Sequence, residues 1–320
     1  MTKLIIQVPC YNEEEVLGQT ISGLLKVSVP GVDQIEIMVV DDGSTDRTVE
    51  VARNAGAHHV VSLGAHQGLA RAFSFGLDHA LSLGADVLVN TDADNQYPAS
   101  EIPNLIRPIL EKQYHIVIGC RKIDEISNFS PLKKFLQKLG SWVVRRVSGT
   151  RVEDTTTGFR AYSRFAMMRV NVFSNFSYTL ETIIQAGVLN IPMTAILVSA
   201  NPETRESRLA KSILHYLWQS GRTILRIAAM YRAFLIFLTL GVTFLTIGAL
   251  GFLVFLYYYF TVSGPTGHIQ LVVFSGTMLV IGMFLTLAGL LADMINTNRT
   301  LMQDALFRIK RLEMEDRSRS

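Results

Sequence analysis

Residues 87–98 read VLVNTDADNQYP, and how this stretch is understood decides the fold. Val87–Asn90 is short, apolar and rich in valine, which predicts a buried strand, and carboxylates and amides follow it at once. Asp92 and Asp94 are spaced i, i+2, so in extended backbone they point to one side and can converge on one cation. With the amide oxygen of Gln96 they form a hard, all-oxygen donor set. Such a set suits Mg²⁺ or Mn²⁺ sharing its remaining positions with phosphates, where the cation neutralises charge on a departing diphosphate. On its own, Asp-x-Asp equally describes a solvated turn, so the flanking elements decide.

Outward from this strand, Ile- and Val-rich runs recur at Leu4–Val8, Ile35–Val40, His59–Leu63 and Ile116–Gly119. Helical patterns lie between them at Glu14–Lys26, Arg47–Ala55, Gly68–Leu83 and Glu101–Lys112. The alternation predicts an α/β domain with a mostly parallel sheet and helices on both faces, in which ligands bind at the carboxyl ends of the strands. Polar clusters fall at those ends: Tyr11–Asn12–Glu13, Asp41–Asp42–Gly43–Ser44 and Asp92–Gln96. Asp42 has two compatible readings there. Its carboxylate can accept from a ribose or a base edge, while Ser44, Thr45 or Asp46 caps the helix that begins with Arg47.

The 49% hydrophobic content averages two unlike parts. Up to about Pro202 the apolar runs are short and interrupted, as in a soluble catalytic domain (1–202). Residues 233–292 are almost free of charge, and both Ala233–Phe260 and Ile269–Ala292 exceed the roughly 20 residues that span a bilayer. A buried hairpin in a large soluble domain is the alternative, and the length and apolarity of the runs argue against it. Arg222, Arg226 and Arg232 precede the pair, Arg299, Arg308, Lys310 and Arg311 follow it, and the loop TVSGPTGH (261–268) has no Lys or Arg. The positive-inside rule therefore predicts a multi-pass protein of the cell (inner or plasma) membrane, with both termini and the catalytic domain cytoplasmic.

Residues 203–232 read as an amphipathic juxtamembrane region and 293–320 as a charged, solvated helical tail with a frayed end. The stretch 130–148, SPLKKFLQKLGSWVVRRVS, has apolar residues at helical spacing with its basic residues largely elsewhere. An ordinary surface helix gives the same pattern, and the downstream apolar segments favour an interfacial helix beside anionic headgroups. The N-terminal apolar run is too short for a signal peptide and predicts a domain that starts in the cytosol. A net charge of +3 gives no indication of a nucleic-acid partner. Cys10 and Cys120 each end an apolar run, as buried thiols in a reducing compartment do. Gly241, Gly248, Gly251, Gly282 and Gly289 permit close helix packing and leave a homo-oligomer open.

Five motifs in order, PCYNEE (9–14), VVDDGSTD (39–46), NTDADNQYP (90–98), GCR (119–121) and DTTTGFRAY (154–162), resemble those of family-2 glycosyltransferases with a GT-A fold. Over roughly residues 3–232 the set is most similar to the polyprenyl-phosphate glycosyltransferases, of the dolichyl-phosphate mannose synthase and bactoprenol glucosyltransferase type. The resemblance implies an inverting, metal-dependent transfer of one sugar from a nucleoside diphosphate sugar to a polyprenyl phosphate lipid, undecaprenyl or dolichyl. It places Pro9, Tyr11, Glu13, Val40 and Asp42 in the nucleotide pocket. It makes Asp92, Asp94 and Gln96 the metal and diphosphate group, with Ala93 in backbone contact, and puts Arg121 and Lys134 near the acceptor or donor phosphates.

Beyond Asn201 the family's Gly-Glu-Ser-Lys element is replaced here by Arg205-Glu206-Ser207-Arg208, so phosphate contacts from this loop fall to Arg205 and Arg208. Asp154 corresponds to a region where processive members carry a base. A phosphate acceptor with a second pKa near 6 is already an anionic nucleophile, so Asp154 is expected to position the donor sugar or a cation beside Arg160, which is counted with Lys134, Arg205 and Arg208 among the phosphate and acceptor contacts, unless the pair is purely structural. The processive Gln-x-x-Arg-Trp element is missing before both Trp142 and Trp218, which favours single transfer. Two other functions compete: transfer to another membrane lipid such as diacylglycerol, which needs a base, and a non-catalytic scaffold that binds sugar nucleotide as a signal.

Overall fold

The computed structural model describes residues 1–121, 145, 149–150, 152, 154–172, 178–201, 213–263 and 268–317, with backbone only at 213–232, 262–263 and 317. Two compact units emerge, Met1–Ile224 with Asp304–Ser320, and Leu225–Gln303.

The first unit is built on one seven-stranded sheet in the order β3-β2-β1-β4-β6-β5-β7. Its strands are β1 (Lys3–Cys10), β2 (Gln34–Asp41), β3 (His59–Ser62), β4 (Val87–Asn90), β5 (Ile116–Cys120), β6 (Arg160–Ser163) and β7 (Met193–Leu197). All pairings are parallel except the two made by β6, which runs antiparallel between β4 and β5. The predicted α/β architecture is therefore observed, with two strands, β6 and β7, that apolar periodicity did not announce. Register matters for the site: Pro9 pairs with Val40 and Cys10 with Asp41, so the polar residues after β1 and β2 leave the sheet together.

The connecting helices are α1 (Leu17–Leu24), α2 (Thr48–Asn54), α3 (Leu69–Ser82) and α4 (Ile102–Leu110), followed later by α5 (Arg164–Arg169) and α6 (Tyr178–Val188). Helix α1 buries Leu17, Ile21 and Leu24, one stripe at helical spacing, in a core with Leu4, Ile6 and Val8 of β1 and Ile102, Leu105 and Ile106 of α4. Strands β1, β4 and β5 are buried nearly throughout, as expected of strands covered on both faces. Burying each such aliphatic side chain stabilises the domain by roughly 1.5–3 kcal/mol, so the sheet edge is a stiff platform for the loops it carries.

In the second unit, most of helix α7 (Ile213–Tyr258) pairs with the start of α8 (Ile269–Arg317). Both helices are long and apolar enough to cross a membrane. A Cβ on Gly241 would come within 3.0 Å of the Gly282 carbonyl, and one on Gly282 within 2.9 Å of the Gly241 carbonyl. The small residues thus let the two helices of one chain meet backbone to backbone. The end of α8 differs from the expected solvated tail, because residues 304–310 are docked on the catalytic unit. Asp304 pairs with Arg169, whose guanidinium lies 4.3 Å from the Phe307 ring, Phe165 packs edge-on against Phe307 at 5.7 Å, and Lys310 reaches Asp78 at 2.7 Å.

Candidate active site

The loop after β4 is fixed from three sides. The Thr91 amide donates to the Gln7 carbonyl at 3.0 Å, the Thr20 hydroxyl of α1 donates to the Ala93 carbonyl at 2.7 Å, and the Asn201 amide donates to the Gln96 carbonyl at 2.8 Å. Asp94 Oδ1 accepts the Gln96 amide at 3.1 Å in a tight turn through Asn95, whose φ of 58° is in the left-handed region. Asp92 lies against the loop that enters β6. A Cβ on Gly158 would sit 2.7 Å from Asp92 Oδ1 and 2.8 Å from the Tyr178 hydroxyl, so only glycine allows this approach. Asn90 locks the contact, its Nδ2 donating to the Gly158 carbonyl at 2.9 Å and to the Tyr178 hydroxyl at 3.0 Å.

Burial and the neighbouring Asp94 carboxylate push the Asp92 carboxyl up to about 7, against the opposing pull of Arg121 and Arg160. A buried carboxyl whose ionisation is disfavoured, with a second carboxylate two residues on, gains when a cation is added, and oxygens of this kind fit Mg²⁺ or Mn²⁺. Among the described residues no group of three or more acidic, His or Cys side chains gathers for a metal. Gln96 is held here by its backbone, with no side-chain bond to either carboxylate shown.

At the end of β5, Arg121 Nε donates to Asp154 Oδ2 at 3.0 Å. The Arg121 side chain is 12% exposed and Asp154 is fully buried. Burial opposes ionisation of Asp154, but the guanidinium and the Thr156 amide and hydroxyl, which donate to its Oδ1 at 3.2 and 2.9 Å, outweigh it and hold the carboxyl below the ordinary range. Burial opposes the charge on Arg121, but Tyr97, Asp154 and Asp92 together raise it above its ordinary value. Asp154 is thus a buried carboxylate paired with Arg121.

Arg160 departs from its expected place among the phosphate contacts. It is completely buried, and its guanidinium donates to the carbonyls of Thr157, Thr179 and Thr155 at 2.8, 2.7 and 3.0 Å and to the Thr182 hydroxyl at 2.7 Å. With those donors consumed, it serves to shape the 154–160 loop, the structural role left open for it. Tyr97 completes the loop's support by stacking on Phe159 at 4.9 Å and sharing a 3.0 Å hydrogen bond with Thr157.

On the other side of β1, Pro9 and Val40 are buried register partners at the ends of β1 and β2, and Tyr11 follows β1. Asp42 is almost fully buried and accepts the amides of Gln67 and Gly68, both at 2.8 Å, and pairs with His66 Nδ1 at 2.8 Å. The capping role falls to Asp46, which accepts the Thr48 amide at 2.9 Å. Gly43 makes room for the 65–66 backbone, which a Cβ would meet at 2.5 Å, and its φ of 74° again requires glycine. The His66 ring then stacks on Tyr11 with centroids 4.0 Å apart. Glu13 begins the next turn, its amide donating to the Thr48 hydroxyl at 2.8 Å.

His66 and Tyr178 escaped the sequence reading. The Gly68 that follows His66, with φ of 96°, was the one local signal of a sharp return toward the site, and nothing local marks Tyr178. Lys134, Arg205, Arg208 and, apart from Arg145, the 130–148 stretch lie outside the described residues.

Comparison with known proteins gives the chain's relatives. The dolichyl-phosphate hexose transferase of Haloferax volcanii is 26% identical over 210 residues, 64% of this chain and 86% of that protein. The undecaprenyl-phosphate mannosyltransferase of Micrococcus luteus is 32% identical over 166 residues, 50% of this chain and 66% of its own length. The crystal structure of glucosyl-3-phosphoglycerate synthase from Mycobacterium tuberculosis, in complex with Mn²⁺, UDP and glucosyl-3-phosphoglycerate, matches with a TM-score of 0.55 at 18% identity, covering 71% of this chain and 79% of that one. This last likeness is one of fold. The model of glycosyl transferase family 2 matches residues 5–176, more than half of the chain, and the chain belongs to that family of enzymes.

Proposed function

We propose that this enzyme transfers one sugar, with inversion, from a nucleoside diphosphate sugar to a polyprenyl phosphate at the cytoplasmic face of a cell membrane. The observation that carries the choice of acceptor is the burial of Asp154 under Arg121. An alcohol acceptor needs a base to take its proton, whereas a phosphate is anionic at neutral pH and needs a cation to hold it. The site offers the cation and ties up the carboxylate that could have been the base. The two relatives named for dolichyl- and undecaprenyl-phosphate acceptors support the same choice.

In this reading Tyr11, Asp42 and His66 with Pro9 and Val40 receive the nucleoside, and Arg121 faces the phosphate groups, oriented by Asp154. Asp92 and Asp94, with the amide of Gln96, would hold Mg²⁺ or Mn²⁺, which supplies positive charge to the diphosphate as it leaves. Thr20 and Asn201 keep that loop from yielding, so the carboxylates are preorganised. The two apolar helices anchor the catalytic unit beside its lipid acceptor, with both termini cytoplasmic. Lys134, Arg205 and Arg208 remain proposed phosphate contacts.

The test is turnover of the full chain in detergent with a short polyprenyl phosphate and, separately, with the corresponding polyprenol and with diacylglycerol, across a panel of sugar nucleotides. Glycolipid formation and release of nucleoside diphosphate with the phosphate alone is the expected result. Equal transfer to the alcohols would overturn the acceptor assignment, and binding without any release would point to a scaffold.

A further inference from the structure

Beyond residue 292, helix α8 continues to Arg317 and carries two faces. One face, through Asp304, Phe307 and Lys310, is committed to the catalytic unit. Nearly opposite it runs an apolar stripe that no described residue covers: Ile295 is 70% exposed, Met302 75%, Ile309 52% and Leu312 64%, with Ala305 between them. These residues fall at 295, 302 and 309 and at 305 and 312, the a and d positions of a seven-residue repeat that Asn298 at d and Asp316 at a continue. An ordinary surface helix needs no such stripe on its solvent side.

The positions flanking the stripe say what fits it. In a parallel pair of identical helices, each g residue meets the e residue five places on in its partner. Here the g position 308 is Arg and the e position 313 is Glu, while the preceding such pair is Leu301 with Leu306. Two copies in register would therefore form two opposite-charge contacts and two apolar ones beside the seam, by symmetry. Ile309 at a with Leu312 at d is the combination that favours two strands. The membrane reading of the proposed function adds that two copies anchored in one bilayer leave it in the same direction, which permits only the parallel arrangement. A lipid surface suits the stripe poorly, since Arg308, Lys310, Arg311, Glu313, Glu315 and Asp316 are interleaved with it.

We infer that residues 295–316 of α8 form a parallel, two-stranded coiled coil with the same segment of a second copy, so that the enzyme is a dimer joined outside its catalytic unit.

The test uses the full chain in detergent and in nanodiscs. Leu312→Cys should give an oxidative cross-linked dimer, and Arg311→Cys, on the flank of the helix, should not. By light scattering corrected for detergent, Arg308→Glu and Glu313→Arg should each raise the dimer dissociation constant by on the order of tenfold, since each reversal sets like charges opposite twice. The double variant Arg308→Glu/Glu313→Arg should restore the wild-type value. Circular dichroism and nucleoside diphosphate release from each variant separate loss of association from loss of fold or of chemistry. A single-copy mass at every concentration, cross-linking that does not distinguish 311 from 312, or a double variant no better than the singles would overturn the inference. So would quenching of a probe at Leu312 by spin-labelled lipid.

Discussion

Replacing Gly158 by alanine tests whether the placement of Asp92, more than its mere presence, governs turnover. The new Cβ would stand 2.7 Å from Asp92 Oδ1, 3.2 Å from Oδ2 and 2.8 Å from the Tyr178 hydroxyl, where ordinary contact begins at 3.4 Å. The carboxylate must therefore withdraw by about 0.6–0.7 Å, because Asn90 pins the Gly158 carbonyl and the loop cannot retreat instead. A misplacement of about 1 Å in a catalytic constellation costs on the order of 10²-fold, so a fall in kcat of about 10- to 10²-fold is expected, equivalent to about 1.4–2.7 kcal/mol. Overpacking of about 1–3 kcal/mol should shift the melting temperature by only a few degrees, leaving a folded, impaired enzyme. Initial rates of nucleoside diphosphate release, beside melting curves, measure both. Adding Tyr178→Phe removes the second close contact and leaves the one to Asp92, so kcat should stay low. Wild-type kcat in Gly158→Ala would refute the reasoning.

Further outcomes follow from the same site. Asp94→Asn should lower turnover with Mn²⁺ or Mg²⁺ by on the order of 10²- to 10³-fold, and near-normal, chelator-insensitive turnover would remove it from the metal site. Because the Asp92 carboxyl is raised to about 7, the cost of ionising it in the fold is absent below pH 3.8, grows between about 4 and 7 and is constant above. Metal-free protein should lose stability across that window, and Asp92→Asn should flatten the curve in chemical denaturation at a series of pH values. Asp154 behaves in the opposite sense: its lowered carboxyl stabilises fully above pH 3.8, and the contribution fades as pH falls through the folded value. Asp154→Asn should cost on the order of 3 kcal/mol at neutral pH by stranding Arg121, with a smaller cost in acid. For topology, a cysteine at Ser263 should label from outside intact cells and one at Ser318 should not; the reverse pattern would invert the orientation.

Strands β1, β2, β4 and β5 were legible because burial writes itself as a run of Ile and Val, and polar residues at their carboxyl ends stand out by contrast, while the half-buried edge strand β3 was marked by Val60 and Val61. Strand β6 was not, since Arg-Ala-Tyr-Ser has no such run: its buried arginine is solvated by backbone carbonyls, a partnership that no residue type records. The same blindness turned Arg160 into an expected phosphate ligand. Asp92 and Asp94 were found by spacing within one loop, whereas Tyr178, which shares the Gly158 contact, comes from a helix far along the chain. The charge of the 298–320 segment read as solvation, and the alternation of its two faces became visible only once Phe307 and Lys310 were seen docked.

The Arg121–Asp154 contact also has a consequence for the chain as a polymer. It ties together the two residues that flank the stretch 122–153, through one ion pair of 3.0 Å between their side chains. Closing such an excursion costs only about 0.6 kcal/mol more for each doubling of its length. A change in the length of this segment therefore adds little closure cost, because the residues on either side of it are already fixed to each other at the end of β5.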